Sequence, residues 1–292
     1  MDWKTLSPEQ MEAVYNPRAN VSDLPATMAR AEQKSAVARN ALGQTAHVSE
    51  DLRYGTGPLC TLDLYQPLKT SDAPRRLFMF IHGGYWRGRD KRDYSFVVPP
   101  LLATNAVVAN VNYDLCPSVT LDEIVRQAIQ AVRFCHSNAT RWAADPDQIT
   151  LVGHSAGAHL AARVLNTPAD NLGTPAHCLA SIIGISGVYE PQVILPISVN
   201  KEAQISEQSA IANDCIANPP QLADARKPKV SLWAGGDEPH GWIEQTKRYA
   251  SMLRETGIAC ADHVVTGCDH FSILDNSFLP DSTEFGLIVG GI

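Results

Sequence analysis

Short runs of consecutive apolar residues, alternating with segments of helical character, restrict the fold of this chain more than any other feature. Such runs are typical of strands buried on both faces of a sheet, and they cover 77–81 and 106–112, with other buried strands predicted at 149–153, 179–185 and 229–235. Further strands are predicted at 60–66 and 259–265, and helices at 93–104, 120–143, 156–166, 240–256 and 271–278. Strands that alternate with helices predict an α/β fold with a mostly parallel central sheet flanked by helices.

Two segments depart from this alternation within a chain that we interpret as one domain, 1–292. Residues 1–50 are polar, have helical character and precede the regular pattern, so they are predicted to form a leader or an N-terminal helical cap. Residues 186–227 contain four prolines and many polar side chains. An excursion of that length inside a compact domain is usually functional, which predicts a lid-like insertion.

Charge and cysteine content exclude several classes of partner. The net charge is -7 and no cluster of Lys and Arg occurs, so neither nucleic acid nor an anionic membrane is expected as a partner. Seven scattered cysteines without a C-x-x-C pair predict reduced thiols in a cytoplasmic protein. No apolar stretch resembles a signal peptide or a membrane span. A small molecule is therefore the expected partner, and a homo-oligomer is left open.

The sequence GHSAG at 153–157 matches the pattern G-x-S-x-G. Because it lies between a predicted buried strand and a predicted helix, it fits a nucleophile elbow, the sharp turn that exposes a reactive serine at a helix N-terminus. Ser155 is thus the candidate nucleophile, although a serine that only caps the helix is the alternative. His154 and His159 belong to the same strand-to-helix element and are predicted to face away from the reacting groups.

A serine nucleophile needs a base and an acid that orients the base, and in this architecture they follow in the order acid, then histidine. His270, just past the last predicted strand, is the candidate base, and His240 is its rival. Asp237, in the turn after the strand at 229–235, is the candidate acid, and its neighbour Glu238 is the alternative. Asp237 would orient the imidazole of His270 and stabilise its cation.

The sequence HGGYW at 82–86 follows the predicted strand at 77–81. Its position matches the HGGG-type loop whose backbone N–H groups bind an oxyanion, so Gly84, Tyr85 and Ala156 are the candidate donors. Tyr85 and Trp86 are predicted to form the wall of a pocket for an aromatic or planar substrate, with simple packing as the alternative. His82 is predicted to hold the loop by hydrogen bonding.

These motifs together resemble a known group. HGGYW with Tyr94, NYDLCPSVTLDEIVRQ at 112–127 and GHSAGAHLAA at 153–162 are similar to the kynurenine formamidase (arylformamidase) branch of the α/β-hydrolase superfamily. The N-terminal LSPEQMEAVYNPR is also similar to the opening of bacterial members. The resemblance implies an α/β-hydrolase fold and cleavage of an N-formyl or related amide through an acyl-serine, with Ser155, Asp237 and His270 as triad.

The same resemblance implies no cofactor. The metal-dependent type of formamidase carries an H-x-G-T-H-x-D motif that this sequence lacks, so no metal is expected. A carboxylesterase for small aryl or acyl esters would use the same triad and stays open as an alternative. A ligand-binding protein without catalysis on the same scaffold is the remaining one. Four basic residues follow HGGYW and either contact a substrate carboxylate or lie in a solvated loop: Arg87, Arg89, Lys91 and Arg92.

Overall fold

The computed structural model describes residues 3–71, 73–221 and 227–290. Within them, eight strands form one sheet: β1 Ala46–Arg53, β2 Thr61–Pro67, β3 Arg75–Ile81, β4 Val107–Val111, β5 Ala144–His154, β6 Leu179–Ile185, β7 Lys229–Gly235 and β8 Cys260–Val265. The strand order is β1-β2-β4-β3-β5-β6-β7-β8. Only β1 and β2 pair antiparallel with their neighbours, and the remaining pairs are parallel. The mostly parallel sheet predicted from the apolar runs is therefore present.

The helices connect these strands and cover the sheet. They are α1 Pro8–Tyr15, α2 Leu24–Thr45, α3 Val98–Ala103, α4 Leu121–Asn138, α5 Ala156–Leu165, α6 Ala169–Leu172, α7 Asn200–Ala203, α8 Glu207–Ala212, α9 His240–Glu255, α10 Ser272–Ser277 and α11 Thr283–Gly290. Shorter 3-10 turns lie at Trp3–Thr5, Lys91–Val97, Thr140–Trp142, Ala176–Cys178 and Pro191–Ile194. Local signals set several starts: Ser7 and Gln10 form a reciprocal capping box at α1, and the Thr120 side chain accepts from Glu123 N–H at α4.

Alternate residues of β3 bury into two different hydrophobic clusters. Leu77 and Met79 join the larger cluster, under α4, α5 and α9, whereas Phe78 and Phe80 join a second cluster with α3, α10 and α11. Successive side chains of a strand point to opposite faces, so a strand that is apolar at every position must be covered on both sides. The continuous run at 77–81 thus accounts for a helical layer on each face.

The N-terminal prediction is correct for α1 and α2 but wrong at its end. Residues 46–50, expected to be helical, belong to β1, which extends the sheet beyond β2. Val48 lies opposite Tyr65 in this pairing. One edge of β2 has free hydrogen-bonding groups, and pairing with them holds residues 46–53 in an extended conformation. A local sequence pattern does not reveal such long-range pairing.

The insertion predicted at 186–227 packs against the sheet rather than standing away from it. Val188, Tyr189, Val193 and Ile194 are fully buried in the larger hydrophobic cluster. Residues 222–226 of the predicted segment lie outside the described residues. Movement of the insertion as a lid stays a prediction.

Three global features bear on the expected partners. Over the described ranges of the chain, none of the helices is both long enough and apolar enough to cross a bilayer. All seven cysteines have free thiols. In the same described ranges, no three His, Cys, Asp or Glu side chains are grouped as a metal site would require.

Candidate active site

The turn between β5 and α5 places Ser155 in a strained conformation. Its φ of 55° and ψ of -118° are rarely adopted by L residues. A Cβ on Gly153 would overlap the carbonyl oxygen of Gly157, and one on Gly157 would overlap that of Ile81. Ser155 N–H donates to Ile185 O at 2.8 Å, but its side chain makes no hydrogen bond that caps α5. The hydroxyl is therefore not used as a helix cap and is available for chemistry.

His270, after β8, is held by a buried carboxylate. Its Nδ1 lies 3.1 Å from Oε2 of Glu238, whose side chain is fully buried. Glu238 Oε1 also accepts from Gly235 N–H at 2.7 Å and from the hydroxyl of Ser186. The ring of Trp242 lies 4.4 Å from the imidazole. The imidazole is fixed on two sides, with Nδ1 donating to the carboxylate and Nε2 left for another partner.

The contact predicted for Asp237 is made by Glu238. A turn that starts at Gly235 is closed by Glu238 N–H donating to Gly235 O at 3.2 Å. Gly236 and Asp237 occupy its outer positions and are exposed. Asp237 is engaged through its backbone: its N–H donates to Cys268 O at 3.0 Å, and its oxygen accepts from Asn20 Nδ2 at 3.0 Å. The residue that returns from the turn to the interior is thus Glu238, one position later than predicted.

The rival base His240 is not near the reacting groups. It begins α9, its side chain is 60% exposed, and its Nε2 lies 3.3 Å from Glu244 on the same helix. It does not line the cavity that holds Ser155 and His270. The structure therefore brings together the serine and the histidine that the sequence predicted.

The HGGYW loop runs directly against the serine. A Cβ on Gly83 would lie only 2.9 Å from Ser155 Cβ. Gly84, Tyr85 and Trp86 all have positive φ, of 121°, 50° and 56°, and a Cβ on Gly84 would overlap the loop backbone. This backbone conformation is sparsely populated and is held by its surroundings. The loop amides that sequence reasoning selected, those of Gly84 and Tyr85, therefore lie in the segment beside the nucleophile.

Ala156 contributes the amide on the other side. It is the first residue of α5, and the first N–H groups of a helix have no acceptor within the helix. The positive end of the helix dipole lies at the same place. An oxyanion hole formed by Gly84, Tyr85 and Ala156 stays a prediction that this arrangement supports.

His82 holds the loop in place, as predicted, through residues of the NYD motif. Its Nε2 lies 2.8 Å from Asn112 Oδ1, and its Nδ1 lies 2.7 Å from Gly83 O. Tyr113 donates to His82 O at 2.8 Å and stacks on the ring at 4.4 Å, while Tyr94 stacks at 5.7 Å. The motifs HGGYW and NYDLCP are thus two halves of one buried network beside the serine.

Tyr85 and Trp86 have different positions. Tyr85 lines the cavity, and its hydroxyl donates to Tyr15 O at 2.7 Å, which joins the loop to α1. Trp86 is fully buried, does not line the cavity and packs edge-on against His159 at 5.0 Å. The pocket wall predicted for Trp86 is therefore wrong, and the packing alternative describes it.

Ser155 and His270 open into one cavity of about 280 Å³. The segment between α1 and α2 and the start of α2 close over it, supplying Pro17, Arg18, Leu24 and Met28. His154 also lines the cavity, and its Nε2 lies 2.9 Å from His270 O. The prediction that His154 faces away from the site is wrong. His154 is the last residue of β5, and its ring lies under the HGGYW loop.

Burial keeps two histidines of this region neutral. Desolvation lowers the pKa of His154 to about 3, helped by the neighbouring His270, and lowers the pKa of His159 to about 3 as well. His159 Nε2 lies 2.9 Å from Asn213 O. In the unfolded chain both would titrate near the ordinary value of about 6.5.

The free energy of unfolding should therefore fall as the pH is lowered. Between pH 6.5 and 3 the unfolded chain binds more protons at His154 and His159 than the folded protein does. Each histidine should cost about 2 kcal/mol at pH 5, and the full stability should return above about pH 7. Urea unfolding at pH 7.5 and 5 measures this difference, which His159→Gln should reduce. Equal stability at the two pH values would contradict it.

Comparison with known proteins adds to this geometry. The family model BD-FAE matches residues 62–228. The chain is 28% identical to a kynurenine formamidase of Danio rerio over 94% of its own length and 92% of that protein. It is 26% identical to a probable isoprenylcysteine alpha-carbonyl methylesterase of Arabidopsis thaliana, over 82% of this chain and 54% of that protein.

A solved structure shares the fold of this chain. The crystal structure of a putative thioesterase from Silicibacter sp. TM1040 superposes with a TM-score of 0.81 at 26% identity, covering 96% of this chain and 99% of that one. The α/β-hydrolase fold predicted from the sequence is confirmed. The resemblance to kynurenine formamidases is confirmed as well, over most of the chain.

Proposed function

This chain belongs to the BD-FAE family, and we propose that it hydrolyses the amide bond of an aryl or related planar formamide at Ser155. One observation carries the proposal: Ser155 and His270 share a cavity, and His270 is oriented by the buried carboxylate of Glu238. The likeness to a kynurenine formamidase supports a formamide as the substrate class. We place catalysis on Ser155, His270 and Glu238, and no longer on Asp237.

In the proposed reaction, His270 Nε2 takes the hydroxyl proton as Ser155 Oγ attacks the formyl carbon. The oxyanion is stabilised by the amides of Gly84, Tyr85 and Ala156. Glu238 stabilises the imidazolium, which then gives its proton to the departing amine nitrogen. Water attacks the formyl-serine with His270 again as base, releasing formate and regenerating the serine.

The position of the HGGYW loop supports a small acyl group. The backbone of Gly83 lies so close to Ser155 that an added Cβ would be 2.9 Å from Ser155 Cβ. That contact narrows the space beside the reacting oxygen. The rest of the cavity, which is about 280 Å³ in all, extends toward Arg18, Met28 and Arg89, where we place the larger leaving group.

A comparison of substrates tests the proposal. Purified protein should cleave formanilide and N-formylkynurenine, with kcat/KM at least comparable to that for p-nitrophenyl acetate. Aryl amines leave more readily than alkyl amines, so N-formyl alkylamines should be cleaved far more slowly. The measurement is release of formate or arylamine under matched conditions.

The alternative function is a carboxylesterase, which the likeness to a methylesterase favours. Rapid cleavage of p-nitrophenyl acetate with no turnover of any formamide would decide for it. Retention of a ligand without turnover of amides or esters would instead indicate a binding protein.

The free thiols of all seven cysteines support a cytoplasmic location for the enzyme.

A further inference from the structure

Within the described ranges, three arginines and no carboxylate line the cavity at Ser155, although the whole chain is acidic. The net charge of the protein is -7, yet three of the described residues that line this cavity are arginines and none is Asp or Glu. Arg18 comes from the segment after α1, and Arg87 and Arg89 come from the loop that follows HGGYW. Residues more than sixty positions apart in sequence thus bring positive charge to one space.

The three arginines differ in how much of their charge is already paired. Arg18 has an exposed side chain with no ion pair to a residue in the described parts of the chain. Arg89 Nη1 lies 3.7 Å from Glu32 and 3.8 Å from Asp93, so two carboxylates offset part of its charge, but both distances are too long for direct hydrogen bonds. Its backbone is also in the left-handed region, with φ of 78°.

Arg87 is more firmly held. Its Nη1 pairs with Glu202 at 2.6 Å, and Glu202 is 66% exposed. Its Nε is buried and has no hydrogen-bond partner among the described residues. A guanidinium that binds a surface carboxylate through one nitrogen still has other N–H donors for a second acceptor.

The geometry points to an anion subsite in which Arg18 and Arg89, with Arg87 behind them, bind a carboxylate carried by the leaving group of the substrate. Guanidinium groups bind carboxylates through paired, charge-assisted hydrogen bonds. The inference rests on the proposed function for its position: a formyl group has only hydrogen as a substituent, so the carboxylate must belong to the amine side. The substrate class is then an acidic aryl formamide.

The test compares an acidic with a neutral substrate. The ratio of kcat/KM for 2-, 3- and 4-formamidobenzoate to kcat/KM for formanilide is measured for wild type, Arg18→Gln and Arg89→Gln. Loss of a charge-assisted hydrogen bond should lower this ratio about 10- to 100-fold for at least one isomer, mainly through KM. Arg18 is exposed, so its variant should fold even if Arg89→Gln does not.

Arg92→Gln is the matched control. It removes the same charge three positions after Arg89, but Arg92 lies in the 3-10 turn Lys91–Val97, pairs with Asp51 at 3.0 Å and does not line the cavity. The ratio should stay within about twofold in this variant. An equal fall of the ratio in Arg92→Gln would assign the effect to overall charge and overturn the subsite.

The inference also fails if Arg18→Gln and Arg89→Gln both leave the ratio unchanged. If no formamide is cleaved, the proposed function fails but the subsite is still tested, with 3-acetoxybenzoate against phenyl acetate.

Inhibition by formate is the last part of the test. Variants that weaken formate inhibition as strongly as they weaken formamidobenzoate turnover would place the product, and not the leaving group, on the arginines and would overturn the assignment.

Discussion

Ser155→Ala should lower kcat by at least about 10⁴-fold while leaving the melting temperature within about 2 °C of wild type. Removing a serine nucleophile abolishes the covalent route and leaves only the effects of binding and the oxyanion hole. Stability should be retained because the Ser155 side chain makes no hydrogen bond that caps α5. Formanilide turnover and thermal unfolding of the same preparation measure the two quantities.

Thr120→Ala is the matched control for a hydroxyl that does cap a helix. The Thr120 side chain accepts from Glu123 N–H at 3.2 Å at the start of α4. Its loss should cost about 1 kcal/mol of stability with little change in turnover. If Ser155→Ala instead loses stability like Thr120→Ala and keeps its activity, Ser155 is structural and the proposed reaction is wrong.

The fold was accessible from the sequence because its strands are buried on both faces. A run such as 77–81 is apolar at every position, which has few explanations other than an inner strand of a covered parallel sheet. The edge strand β1 carries no such signal, since most of its residues are exposed or half-buried. β1 forms because it pairs with β2, so its position depends on the sequence of the partner strand more than on residues 46–53 themselves.

The candidate site was accessible wherever a backbone constraint fixes the residue type. Ser155 was found because the elbow requires glycines at 153 and 157, and His270 because it follows the last strand. Arg18 was missed, since its approach to the serine depends on how the segment after α1 folds back over the sheet. A local sequence pattern does not reveal a contact between residues so far apart in the chain.

The choice between Asp237 and Glu238 depends on the direction of one turn. Two acidic residues follow Gly235 and Gly236, and composition gives no reason to prefer either. The hydrogen bond from Glu238 N–H to Gly235 O makes Glu238 the fourth residue of the turn, directed back to the interior. The longer side chain then reaches Gly235 N–H, Ser186 and His270 together.

Glu238→Gln should consequently lower kcat by about 10³- to 10⁴-fold, and Asp237→Asn should leave it within about twofold. An amide at 238 has the shape of the carboxylate but cannot stabilise the imidazolium, and an amide nitrogen facing Nδ1 favours the wrong tautomer of His270. Asp237 is exposed and makes its hydrogen bonds through its backbone N–H and oxygen, which Asn retains. Steady-state kinetics of the two variants on formanilide separate these outcomes.

A merely structural role for Glu238 would give a different pattern. Its carboxylate also accepts from Gly235 N–H and Ser186, so a loss of activity caused by local unfolding would appear together with a lower melting temperature. Glu238→Gln keeps an acceptor for both donors, and its melting temperature should fall only slightly. Its effect should be on kcat, because the carboxylate faces the imidazole that we propose as the base. A large loss of activity in Asp237→Asn with Glu238→Gln near wild type would return the acid to position 237 and would require a different turn after β7.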